Sequence, residues 1–231
     1  MTNQPAWQWN ENIQVGVDYR NVEEVRAYDA RMRTLRDVDA ENAQIVEAVG
    51  LQLEHTVVEI GTGTGAFARH AAPLCRKVYA CDVSATMLQY AEAKAQEAGL
   101  GNIAFVHAGF LTYQHAGEPV DVAVSQLALH HLPDFWKLVA LKRLAAILKP
   151  GAKFYLRDVV FPEAATDGPA FFETMVSQIP VSSKQEVITH IRQEYSTLDW
   201  ILEDLLRHAG FAIDAQSKPT AFLTAYVCTR M

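Results

Sequence analysis

The run Val57-Val58-Glu59-Ile60-Gly61-Thr62-Gly63-Thr64-Gly65 narrows the fold more than any other part of the chain. In it an apolar strand leads straight into three glycines at alternate positions, and a helical pattern follows. Glycine at such a turn lets backbone approach a ligand with no Cβ in the way, and the start of the next helix presents unpaired N–H groups. The run does not identify its ligand. Gly61-x-Gly63-x-x-Ala66 also satisfies the dinucleotide fingerprint, and a glycine turn can serve as a turn alone.

The surrounding periodicity sets the architecture. Helices are predicted over 22–35 and 39–49, the second closed by Gly50. Strands and helices then alternate: strand 56–60, helix 66–72, strand 77–82, helix 85–98, strands 103–106 and 120–125, helix 134–148, strand 153–159. Such alternation implies βαβ units and a parallel sheet covered by helices on both faces. Residues 160–196 interrupt it with a stretch far longer than the usual connection of about 2–6 residues. A helix over 198–208 follows, entered through Ser196 and Asp199 in capping-box spacing and stopped by Gly210. The last two runs, 211–216 and 221–229, are too close together for a crossover helix and should pair antiparallel.

Bulk properties exclude several functions. The 231 residues suit one α/β domain, with 1–36 and 160–196 as additions to it. A net charge of −7 provides no basic stripe for a phosphate backbone, so nucleic acid is not an expected partner. No stretch reaches the roughly 18 apolar residues of a membrane span, and residues 1–12 are polar; the chain reads as cytoplasmic. Cys75, Cys81 and Cys228 cannot all pair and show no metal spacing, so they are expected as buried free thiols.

Asp82 ends the next strand, 21 residues after Gly61. In doubly wound folds a carboxylate at that point accepts hydrogen bonds from ribose hydroxyls, implying an adenosine with a free 2′-hydroxyl, as in NAD or S-adenosylmethionine (SAM). Ser84 is placed to cap the following helix. Met87, on its first turn, is placed either against an adenine face or in the core.

With these residues the chain resembles the class I SAM-dependent methyltransferases. The likeness rests on four features: Glu59-x-Gly61-x-Gly63-x-Gly65; Asp82-Val83-Ser84-x-x-Met87-Leu88; Ser125-Gln126-Leu127-Ala128-Leu129-His130-His131-Leu132; and Leu148-Lys149-Pro150-Gly151. It is most similar to small bacterial enzymes of the ubiquinone/menaquinone C-methyltransferase kind, which carry a segment similar to 22–29 ahead of the sheet. The resemblance implies a Rossmann-like, seven-stranded, mostly parallel sheet whose last strand is antiparallel. It also implies SAM as cofactor, with S-adenosylhomocysteine (SAH) as product. By the same likeness, Glu59, Gly61, Gly63 and Gly65 would hold the methionine end and ribose, Asp82 the ribose hydroxyls, and Gln126 would lie under the methionine. Tyr28, Thr62 and Val83 complete that set. The chain departs from the family where an acid often follows strand three to bind the adenine amine: it reads Ala108-Gly109-Phe110, so Gly109 backbone and the Phe110 ring are expected to replace the contact.

Methyl transfer is an in-line displacement, for which alignment supplies most of the advantage. Where the acceptor must lose a proton, His131 is the candidate base, since imidazole titrates near neutrality. Phosphoethanolamine-type methyltransferases look similar here, with a tyrosine assisting; Tyr19 or Tyr28 is the counterpart. The competing reading makes the histidine pair structural. His130 and His131 do not form a metal site, because helix neighbours point about 100° apart. Asp158 either orients substrate or caps a turn. Residues 1–36 and 160–196 are expected to cover the pocket, with Phe161, Phe171, Phe172, Met175, Val176 and Ile179 lining it or completing the core. The function read here is methyl transfer from SAM to a small-molecule acceptor. The alternatives are a non-catalytic SAM-binding partner protein and a nicotinamide-dependent dehydrogenase.

Overall fold

In the computed structural model, residues 5–13, 21–179 and 184–231 are described. Two helices, α1 (Val22–Leu35) and α2 (Val38–Ala48), precede the sheet. Each is started by a side chain that accepts an otherwise orphaned backbone N–H: Asn21 takes that of Glu23, and Asp37 that of Ala40.

The strands are β1 (Thr56–Ile60), β2 (Lys77–Asp82), β3 (Ile103–His107), β4 (Val120–Gln126), β5 (Leu148–Phe161), β6 (Thr197–Leu198), β7 (Phe211–Ser217) and β8 (Leu223–Arg230). The connecting helices are α3 (Ala66–Ala71), α4 (Ala85–Glu97) and α5 (Asp134–Ile147). Then come α6 (Pro169–Gln178), α7 (Lys184–Gln193) and α8 (Asp199–His208). Strand order is β3-β2-β1-β4-β5-β8-β7, with the two-residue β6 paired to β5 at one end. β8 runs antiparallel to both β5 and β7, as the short spacing of the final runs requires. The expected seven-stranded sheet is therefore present, with β6 as an added stub.

All five residues of β1 are buried, because a central parallel strand is covered on both faces. Its alternate side chains enter different cores. Val57 packs with Ile45, Phe67 and Val78 under α2 and α3, whereas Val58 and Ile60 join Leu141, Phe154, Leu206 and Tyr226 under α5 and α8. The order reverses between β1 and β4, and that switch point is where open α/β sheets leave a crevice at their carboxyl edge.

Two expectations change. The capping box at α8 does not form: Ser196 Oγ bonds His190 Nε2 at 2.7 Å, Asp199 Oδ1 takes the N–H of Trp200, and Leu198 is the N-cap. Pairing of Thr197 and Leu198 with β5 extends the backbone there and takes Ser196 away from the helix start. Val160 joins the main core, Ile179 joins none of the clusters, and most other apolar side chains of 160–196 form a third, separate cluster. Phe161, Ala165 and Met175 are at its centre and Phe171, Phe172 and Val176 pack around them, so they build a small core of their own. All three cysteines are free and buried.

Candidate functional site

The loop after β1 is fixed from below before any ligand is considered. Gly61 and Thr62 both donate their N–H to the Cys81 carbonyl at 2.9 Å, tying the loop to β2. The Thr62 hydroxyl donates to Glu59 at 2.6 Å. Burial raises the Glu59 carboxyl to about 8, with the Thr62 hydroxyl and the Ala68 N–H opposing the shift. Glu59 is thus a brace beneath the loop and does not line the cavity above it. The glycines divide the remaining work. A Cβ on Gly61 would sit 2.4 Å from that of Ala128, so close approach of the β4 edge excludes one. Gly65 backs onto Ala91 of α4 in the same way. Gly63 has φ +54°, and a Cβ there would meet nothing within 4 Å, because it faces open space.

That space is a cavity of about 770 Å³, counting its open mouth, at the switch point. Of the residues expected from sequence, Tyr28, Gly61, Gly63, Asp82, Val83, Met87, Gly109, Phe110, Gln126 and His131 line it. Glu59, Thr62 and Gly65 stand behind the wall, and Tyr19 lies outside the described residues. Nothing from 160–196 contributes to the lining among the described residues. Asp82 is held by two backbone donors, Gly63 N–H on Oδ2 and Ser84 N–H on Oδ1, each at 2.8 Å. Burial raises its carboxyl above the usual range and those N–H groups oppose the shift. Ser84 caps α4 as expected by accepting from Met87 N.

At the end of β4, Leu127 has φ +53°, the one positive φ outside glycine among the described residues. Its N–H is anchored on the Arg157 carbonyl at 2.8 Å. A side chain in that region costs on the order of 1–3 kcal/mol, which the surrounding sheet sustains. The kink sends Gln126, Leu127 and Ala128 together into the cavity wall.

The two histidines have different environments. His131 lines the cavity, and burial together with the neighbouring His130 lowers its pKa to about 4, so its imidazole is neutral at neutral pH. His130 is buried between two carboxylates: Nδ1 bonds Asp158, and Nε2 lies 3.1 Å from Glu194 Oε2. Burial favours its neutral form, but the two carboxylates prevail and raise it to about 9. Asp158 and Glu194 are held below the ordinary carboxylate range against the opposing effect of their own burial. Asp158 also accepts the N–H groups of His130 and Val159, so its role is to fix His130.

His190 Nδ1 bonds Glu194 as well, and its Nε2 bonds Ser196, so every ring nitrogen of His130 and His190 is engaged. His130, His190 and Glu194 have their ligating atoms within 4.8 Å of one another, a grouping the pattern of the histidine pair alone did not reveal. Sequence reasoning also missed Glu11 and Ile13, which reach the cavity from the segment ahead of α1. The one signal for Glu11 was the absence of an acid in Ala108-Gly109-Phe110.

The cavity suits an adenosine with a polar tail: an open glycine face, a carboxylate at the end of β2, and apolar walls from Val83, Met87 and Phe110. Comparison with known proteins agrees. Residues 57–151 match a methyltransferase domain model. An uncharacterized methyltransferase of Geobacillus thermodenitrificans is 30% identical over 190 residues, covering 82% of each chain. A SAM-dependent methyltransferase from Aquifex aeolicus superimposes with a TM-score of 0.65 at 21% identity, covering 91% of this chain and 99% of its own. The magnesium protoporphyrin IX methyltransferase of Synechocystis PCC 6803, solved with SAH, gives 0.63 at 18% identity and covers 92% and 98%. Among the described residues no helix is long and apolar enough to cross a membrane.

Proposed function

The chain belongs to the class I SAM-dependent methyltransferases, and from that premise we propose that it methylates a small-molecule acceptor held in the cavity at the switch point. The observation that carries the proposal is the sharing of one cavity by the open face of Gly63, the Asp82 carboxylate and a neutral His131. Asp82 would accept from the ribose hydroxyls, Val83, Met87 and Phe110 would sandwich the base, and Gly61, Gly63 and Gln126 would border the methionine portion. Bound there, SAM supplies an electrophilic sulfonium methyl, and in-line placement of the acceptor is the main requirement. His131, unprotonated, is available to take a proton from the acceptor, and Tyr28 shares the same wall. The charge of −7 favours a small acceptor over nucleic acid. Residues 1–36, which bring Glu11, Ile13 and Tyr28 to the cavity, act in this reading as its cover.

Incubating the purified protein with SAM and a panel of small phenols, amines, thiols and carbon acids, with SAH release as readout, is expected to find at least one acceptor. Turnover should survive exhaustive EDTA treatment. SAM retained without SAH release across the panel would replace this reading with that of a non-catalytic SAM-binding partner. Asp82→Ala should weaken SAH binding about 10- to 150-fold, the scale of about 1.5–3 kcal/mol for hydrogen bonds to a charged group. The variant should no longer distinguish SAH from its 2′-deoxy analogue; persistent discrimination would remove Asp82 from the ribose site.

A further inference from the structure

Glu11 is a carboxylate from a polar segment, yet it is 8% exposed and set into the cavity wall. Both its oxygens face the N–H of Leu111, at 3.1 and 2.9 Å, and Oε1 accepts from the Thr112 hydroxyl at 2.6 Å. The Thr112 hydroxyl in turn accepts from Gly109 N–H at 2.9 Å, so the carboxylate is wired into the loop after β3. Burial pushes its carboxyl up, with Thr112, Leu111 and Arg143 opposing.

The position of Glu11 is complementary to the glycine beneath it. A Cβ on Gly109 would lie 2.5 Å from Glu11 Oε2, 2.6 Å from its Cδ and 2.6 Å from Val83 Cγ1. The carboxylate therefore stands where a side chain at position 109 would begin, and the two cannot coexist. A carboxylate has about four acceptor sites, and three donors, the Leu111 N–H and the hydroxyl and N–H of Thr112, use part of that capacity. Burying it at the cavity edge is costly unless the remainder is also satisfied. Its neighbours in the wall are Val83, Met87, Gly109 and Phe110, which offer apolar surfaces to a flat ring.

We propose that Glu11 accepts the exocyclic amine of the adenine ring, delivered from the N-terminal segment in place of a side chain at position 109. The proposal rests on the reading that this cavity holds SAM. It makes residues 5–13 part of the cofactor site, so cofactor binding and docking of the segment stabilise each other by the same factor.

The test is calorimetric titration with SAH and with its 6-deamino analogue, in which hydrogen replaces the amine. Wild-type protein is expected to prefer SAH by tenfold or more. Glu11→Ala should bring the two ligands within twofold of each other. Glu11→Gln, which keeps the volume should the alanine variant not fold, is expected to cut the preference to threefold or less. A tenfold preference that persists in both Glu11 variants would overturn the proposal and leave Glu11 as an anchor of the segment. Wild-type protein that binds both ligands equally would overturn it while leaving the cofactor site intact. Failure to bind either would remove the cofactor site itself and this proposal with it.

Discussion

Where the glycine loop meets the sheet, apolar neighbours hold it on both faces and backbone bonds tie it to β2. Where residues 5–13 and α1 meet the same cavity, the apolar packing of Val25 and Trp9 is supplemented by separate polar and aromatic contacts. Asp29 accepts from Thr64 at 2.6 Å, Gln8 reaches the Leu111 carbonyl at 3.3 Å, and Trp9 sets its ring edge-on to Tyr195 at 5.4 Å. The floor is built to be rigid, because close packing admits one arrangement and preorganises the groups a ligand meets. The roof is attached at points, each worth about 0.5–1.5 kcal/mol or, where charged, about 1.5–3. Elements of that kind open locally at low cost, which suits a cover that must admit and release ligands.

Gly63→Val should show the largest effect. Its Cβ meets no protein atom within 4 Å, so the fold is retained with a penalty on the order of 1–3 kcal/mol for a branched residue at positive φ. It fills the ligand's space, however, and SAH affinity should drop more than 100-fold by calorimetry; an unchanged affinity would refute the floor as drawn.

Asp29→Ala tests the roof and should act more mildly. Its loss removes the Thr64 tie alone. SAH affinity is expected to fall about 10-fold, the low end of the scale for a hydrogen bond to a charged group. The thermal midpoint should move by no more than about 2 °C, a shift that corresponds to less than 1 kcal/mol. A collapse of the midpoint would show that roof and floor are one cooperative unit.

The third effect bears on stability with no direct effect on binding, is pH-dependent and lies in the buried grouping of His130 with Asp158 and Glu194. His130 titrates near 9 in the folded chain against an ordinary value of 6.5, so its stabilisation is complete below 6.5 and lost as pH rises through 9. Glu59, raised to about 8, acts in the same direction, because its charged form is disfavoured on folding. The midpoint should therefore fall by several degrees between pH 6.5 and 9. His130→Gln should flatten that slope, and an unchanged slope in the variant would exclude the clamp as its source.

The division between floor and roof is also the division between what the residues announce and what they conceal. β1 and β2 have the bounds that the sequence predicts, since a short, mostly apolar run closed by a turn or an acid is a local pattern, and Asp82 follows from its distance to Gly61. The antiparallel end of the sheet follows from a gap too short for a helix. Glu11 binds residues 100 and 101 positions away, and His130 meets Glu194 across 64 positions of sequence; no periodicity encodes such pairs. The capping-box spacing at α8 goes unused for the same reason, because strand pairing to β5 is a non-local demand that overrides a local motif.

The three cysteines offer a practical return. Burial raises the thiol of Cys75 to about 11 and that of Cys228 to about 12, and pushes Cys81 up as well. Only the thiolate attacks a maleimide or disulfide reagent, so at neutral pH the folded chain offers such reagents almost nothing. It is a low-background host for a single engineered label, and a fluorophore attached near residue 7, where the Trp7 side chain is 75% exposed, would report each departure of the N-terminal segment in real time.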